Sequence, residues 1–450
     1  MRDDDKRTAR DLGEGSAKII PLRPSPAIGS AGQLAGHLQR LALEASANLV
    51  ELVATADQYG VEVPAHVRRA AAAVQEASPD ADTTTRQEAM NRRQLLGGAA
   101  AVAGALVLRQ RTNALQGLRW AAGDEATQRV VSTLKRPGRV DASTVADMEA
   151  ATAAYRRGYR QLSVRTLLPQ AEGQVQVVEE LLGGSMKPTL RRRLTATAAE
   201  AHALVGTMLL MDLYAFDAAW SQLSEAHGAA REAHARELEA FVLGAMAFNA
   251  GYDGRSAEAI DLITEARNVA RAADGPRTRG WLAAVESELR ARTGNAHASL
   301  AALADAESAI QDLDQRDGRP WIGVGAFDAA KLKGYYGLCY LQLQQPQEAV
   351  GELAAAVNAL DPTLRKHRCT ALADLATALI QLGEVEEGCR RASQALTLAM
   401  ELRHAVSVDR IRNLDRRLAP WQDTTAVKAF REQLLEQLLV AFQASPSIDW

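Results

Sequence analysis

Aromatic side chains are scarce here: they make up 4% of the chain, although 47% of its residues are hydrophobic. Alanine is abundant instead, which favours helix and lets helices approach closely. Cysteine is nearly absent. Cys339, Cys369 and Cys389 are odd in number, lack close metal-ligand spacing and sit in apolar helical contexts. They read as buried free thiols in a reducing compartment rather than as a disulfide framework. Excess charge is missing too. With 52 basic and 55 acidic residues the net charge is −3, so the bulk composition recommends no polyanionic partner. The one targeting-like stretch, Arg92-Arg93 followed by small apolar residues to Leu108, has an apolar run of about 14 residues, too short to span a bilayer. Ninety residues precede it and no clear cleavage box follows, so the spacing predicts an internal alanine-rich helix and no integral membrane segment. No His-Glu-x-x-His, no Gly-x-Gly-x-x-Gly after a strand, no Walker loop and no nucleophile elbow occurs. Catalysis is therefore the least favoured class, and no metal and no cofactor is expected.

What is present is helical and repetitive. The 450 residues, with 24% charged, suffice for an extended array or two to three compact domains. Paired helical patterns run from Leu190 to Leu402, and short corners recur inside them at Gly254, Gly294, Gln344-Gln345-Pro346 and Gly383. Gly254 and Gly294 lie 40 positions apart, and Gln344 stands 39 before Gly383. One such unit cannot bury its apolar face, whereas stacked units do. The expected class is all-α, a helical-repeat superhelix. Residues 1–30, rich in charge and Pro, read as a disordered tail; 31–80 hold two N-terminal helices; and 81–140 read as a linker carrying the alanine-rich helix. The repeat domain starts with helices over 141–189, capped by Asp141 or Ser143 and interrupted near Pro169. Repeats then fill 190–402, and 403–450 supply capping helices.

The corners also carry a resemblance. A small residue beginning each second helix, with Ala following three or four positions later, resembles the tetratricopeptide repeat (TPR), and Gly337-Leu338-Cys339-Tyr340 is the best local copy. Three stretches, Leu190 to Leu194, Asp253 to Ala259 and Arg279 to Leu282, resemble the C-terminal half of actinobacterial transcriptional regulators that carry such repeats. Members of that group often place an Arg-Arg-x-Leu-Leu patch and an alanine-rich run between their halves, as Arg92 to Leu106 does. They commonly begin with a helix-turn-helix domain, which the first 90 residues here do not show. The resemblance implies a regulatory or sensing fold and does not license DNA binding.

Scarcity makes the remaining aromatics informative. Phe248, Trp281 and Tyr335 fall on successive first helices, which line the concave face of such superhelices. The expected partner groove is therefore Phe248, Trp281 and Tyr335, with Arg279 or Lys333 supplying charge. The basic patch Arg191, Arg192 and Arg193 opens a long helix, where it serves as a solvated face or meets an acidic partner or neighbouring repeat. His227 and His234 share a face only if their helix continues. The function expected is a cytoplasmic regulatory scaffold that recognises a protein or peptide, in transcriptional or developmental signalling. A homodimer is compatible with it. A DNA-binding regulator, an exported or membrane-associated repeat protein, and an enzyme stand as alternatives.

Overall fold

The computed structural model describes residue 68 and residues 92–135, 140–273, 275–311, 323 and 327–443, with side chains described at 68 and between 112 and 437. The expected tail, the two N-terminal helices apart from Arg68, and most of Asp314 to Gly325 lie outside the described residues. Among those described, there is helix and no strand. Helix α1 spans Arg92–Lys135 and is broken at Gly123, whose φ of 89° and ψ of 177° belong to no helix. From Thr112 onwards α1 is part of the fold. Ala114, Leu118 and Val130 are buried against α2 (Ala142–Gly158), α3 (Val164–Leu182) and α4 (Pro188–Leu213).

Local chemistry sets the starts. The Asp141 carboxylate accepts from the Thr144 amide at 2.8 Å and caps α2. Pro188, Pro276 and Pro346 occupy first turns, where no amide partner is lost. Pro169 does not interrupt, contrary to the sequence expectation: it lies in the second turn of α3. Only the Arg165 carbonyl loses its amide there, and the helix continues through to Leu182 with its apolar face buried.

Five pairs follow α3. They are α4 with α5 (Phe216–Glu232), α6 (Arg236–Tyr252) with α7 (Ser256–Arg271), α8 (Pro276–Arg292) with α9 (Ala296–Gln311), α10 (Ala329–Gln342) with α11 (Pro346–Ala359), and α12 (Arg365–Gln381) with α13 (Val385–Leu402). Each corner turns on one left-handed residue: Tyr214, Gly254, Gly294, Gln344 and Gly383, with φ between 51° and 84°. Glycine adopts this conformation without strain; Tyr214 and Gln344 adopt it with their side chains in place. Second helices pack through one repeated set of four positions. Ala219, Leu223, Ala226 and Ala230 recur as Ala259, Ile263, Ala266 and Ala270, and as Ala349, Leu353 and Ala356 with Leu360 just past the end of α11, all buried. Small residues at three of the four positions in the first two sets bring partner backbones close, and Gly206 and Gly337 extend this: a Cβ at either would strike Leu223 or Leu353. These are stacked TPR-like pairs, an all-α solenoid.

The array then curls back on itself. Helix α14 (Ala405–Arg417) packs on α12 and α13 and also reaches α4, while α15 (Thr425–Gln443) covers α13. Lys366 on α12 meets Asp212 on α4, and Arg410 on α14 meets Tyr252 on α6. Helix α4 is the one described helix long and apolar enough to cross a membrane by length and composition; 72% of that stretch is buried inside the fold.

Candidate ligand cavity

Curling closes the concave face into a cavity of about 230 Å³. Its apolar wall comes from consecutive first helices. Phe241 and Trp281 stack at 4.7 Å between ring centroids, and Phe248 lies 6.1 Å from Trp281. Tyr335 packs against the same cluster as Trp281 and meets Phe327 edge-on at 6.1 Å. Gly244 permits this arrangement, because a Cβ there would lie 2.6 Å from the Trp281 ring. Gly244 thus serves the contact between neighbouring first helices.

Ionisable groups form the rest of the lining. Tyr252 donates to Glu288 at 2.8 Å and accepts from Arg410 at 3.0 Å, and Arg410 is paired with Asp374. Burial pushes the Asp374 carboxyl up to about 6, with Arg410 pulling it down and Glu288 pushing it up. Against the cost of burial, Asp374, Tyr252 and Glu288 hold the Arg410 guanidinium above its ordinary value. Across the cavity, the Lys366 ammonium sits 2.8 Å from Asp212 and 3.6 Å from the centroid of the Tyr159 ring. Burial raises Asp212 to about 6 although Lys366 and Tyr159 pull it down, and burial lowers Lys366 although Asp212 opposes. Burial also lowers Lys331 to about 8, offset in part by Asp328. His367 and His404 line the same end and are held well below the usual imidazole range, first by burial and then by neighbouring cations.

Phe248, Trp281 and Tyr335 therefore lie together on one wall. Arg279 and Lys333 do not join them. Arg279 donates to the Ala273 carbonyl at 3.3 Å, and Lys333 pairs with Glu352 of α11 at 3.3 Å. The cavity's cations are instead Lys331, Lys366 and Arg410, which sequence reasoning passed over. The basic patch is divided as well. Arg191 donates to the carbonyls of Leu182 and Gly184, at the end of α3, and Arg193 grips Glu149 through two bonds of 2.8 and 2.6 Å. Arg192 alone points outward with no partner among the described residues. His227 and His234 share no helical face, because α5 ends at Glu232 and His234 is left-handed with φ 52°. Among the described residues no three metal-ligating side chains converge. The three cysteines are free and buried, and burial pushes Cys339 and Cys369 up to about 12, so both stay protonated thiols.

The sequence matches no protein-family model and no curated protein. Among solved structures the chain is similar to a Rap protein complexed with competence and sporulation factor, at 10% identity and a TM-score of 0.46, over 74% of this chain and 97% of that one.

Proposed function

We propose that this chain is a regulatory recognition protein that works in the cytoplasm, in transcriptional or developmental signalling. Its helical-repeat cavity would hold a peptide or a short segment of a protein partner. The supporting observation is the wall of Phe241, Phe248, Trp281 and Tyr335 facing buried charged groups across one cavity. Ligand sites combine apolar lining with a few placed polar groups in this way, and aromatic anchors dominate binding energies. The paired helices pack through Ala, Leu and Ile at their repeated positions, so pairing does not require these rings.

The test is selection from a random octapeptide library on immobilised protein, with bound peptides identified by mass spectrometry. Wild type is expected to enrich apolar segments, and Tyr335→Leu, which keeps apolar bulk but loses the ring, to lose about tenfold of that enrichment. Equal enrichment on both proteins refutes the placement. Recovery of the chain outside the cytoplasm on cell fractionation removes the location from the proposal.

A further inference from the structure

We infer that Glu288 makes the cavity a site for an organic ammonium, a protonated amine carried two carbons from an aromatic ring. A free arylalkylamine offers that group, and so does the N-terminal residue of a peptide that begins with an aromatic. The inference rests on the reading of this cavity as a ligand site and names the group that enters it.

The repeat itself singles out Glu288. Six residues before its left-handed corner, α4 carries Met208, α6 Phe248, α10 Leu338 and α12 Thr377. Met208, Phe248 and Leu338 are buried, as stacking of first helices requires. Helix α8 places a carboxylate at this position, 2% exposed, and it lines the cavity. The packing of helix pairs needs no charge there, and departures from an otherwise regular pattern gather at functional sites.

The surroundings of Glu288 leave it short of a cation. It accepts a hydrogen bond from the Tyr252 hydroxyl at 2.8 Å, and among the described residues no cation stands at ion-pair distance from it. Arg410 attracts it, but that guanidinium is paired with Asp374 and donates to the Tyr252 hydroxyl at 3.0 Å. One buried guanidinium thus stands against two buried carboxylates. The other cations of the lining are also engaged: Lys366 holds Asp212 at 2.8 Å, and Lys331 has an interaction of its own within the chain. Arg292 sits 4.6 Å over the Tyr252 ring and is exposed, where water and salt screen it. A buried carboxylate short of a cation is costly. A ligand ammonium supplies the cation, together with a donor for the second carboxylate oxygen.

The aromatic wall suits the rest of the molecule. Trp281 and Glu288 stand two turns apart on one face of α8, about 10 Å of rise. A ligand held by both has its apolar body at one end and its charge at the other. Phe248, the α6 counterpart of Glu288, lies 6.1 Å from Trp281 and meets Tyr252 edge-on at 5.9 Å. Aromatic faces attract cations and stack with a ligand ring. Volume sets the size. A dry cavity of about 150 Å³ holds benzene. By proportion, the 230 Å³ here holds roughly nine non-hydrogen atoms, as many as phenethylammonium has.

Calorimetric titration of the full chain tests this. The probes are phenethylamine, its N-acetyl derivative, phenylpropionate, and the peptide Phe-Ala-Ala amide with a free or an acetylated N-terminus. Phenethylamine, the free peptide or both are expected to bind at least about tenfold more tightly than the acetylated form, as gain of a charge-assisted hydrogen bond does, with phenylpropionate weakest. Whichever of the two binds assigns the source of the ammonium. Glu288→Gln, which keeps an acceptor for Tyr252, should cut the ammonium preference to about threefold or less. Acetylated forms binding as tightly as free amines, or phenylpropionate as tightly as phenethylamine, overturn the inference on wild type alone, whether or not the variant folds. An ammonium preference unchanged in the folded Glu288→Gln protein overturns it also. So does the absence of heat from any probe up to about 1 mM. In each of these cases the octapeptide selection decides the wider peptide reading separately.

Discussion

Lys366→Met should open the closed array, and its cost should depend on pH in a defined direction. Lys366 and Asp212 are 154 residues apart, 4% and 0% exposed, with the ammonium 2.8 Å from the carboxylate. Methionine keeps the stem's volume over the Tyr159 ring and removes the charge. Asp212 is then a buried carboxylate without its cation, and breaking a buried pair from one side costs about 3–5 kcal/mol. The sign with pH follows from burial. Asp212 already titrates near 6 in the folded protein against 3.8 unfolded. The folded state therefore holds more protons between those values, and this group's contribution falls as pH rises through them. In wild type that loss levels off above about 6. Without Lys366 the folded value moves higher still, so the variant keeps losing stability towards about pH 8. Urea unfolding followed by circular dichroism should show a modest penalty near pH 5 and the full one near pH 8. Asp212→Leu with Lys366→Met, which removes both charges, should lie within about 1 kcal/mol of wild type or above it. A single-variant penalty below about 1 kcal/mol near pH 8, or a double variant as unstable as the single, refutes the closure by this pair.

Trp281→Ala should lose about 2–3 kcal/mol in urea, less than a fully buried Trp would, because the ring is only half-buried while stacking on Phe241; peptide affinity should drop about tenfold or more beyond that, and unchanged affinity in the folded variant refutes its place on the wall. Gln344→Gly should raise stability by up to about 1 kcal/mol, since Gln344 turns the corner at φ 61°; a loss on chemical denaturation would show that its side chain holds the corner. Lys331, lowered by burial to about 8 from 10.5, leaves the unfolded chain with more protons between those values, so stability should rise with pH across that window by up to roughly 3 kcal/mol relative to Lys331→Met. Parallel unfolding curves for the two proteins over that range would refute its burial as a charge.

The fold was legible because its determinants are local. Apolar spacing bounds the paired helices at Leu190 and Leu402, and the observed pairs run from Pro188–Leu213 to Val385–Leu402. Spacing alone makes Gln344 equivalent to Gly383, and both are left-handed. Tyr214 takes the same role 40 positions before Gly254, yet no turn chemistry announces a tyrosine there. Pro169 misled for the opposite reason. A proline is a strong local signal, but one lost hydrogen bond in a second turn is outweighed by the buried face of Leu167, Val175, Val178 and Leu181.

The cavity was half legible, and the error has a geometric form. Phe248, Trp281 and Tyr335 fall on successive first helices in the sequence, and all three line the cavity. Arg279 or Lys333 is the cation expected there because they lie on the same first helices as Trp281 and Tyr335, but each stands two residues before its ring. At 3.6 residues per turn, two positions rotate a side chain by about 200°, so a residue at that offset faces away. Arg279 accordingly turns to the Ala273 carbonyl and Lys333 to Glu352. The cation that shares a face with Tyr335 stands four residues from it, and that residue is Lys331, which lines the cavity. Lys366 and Arg410 had no such local cue. They reach the cavity only through closure, meeting Asp212 and Tyr252 at separations of 154 and 158 residues. A repeat pattern specifies each step of a superhelix, while the contact that closes it depends on the accumulated curvature of every step, so a charge placed by closure is invisible to any window of the sequence.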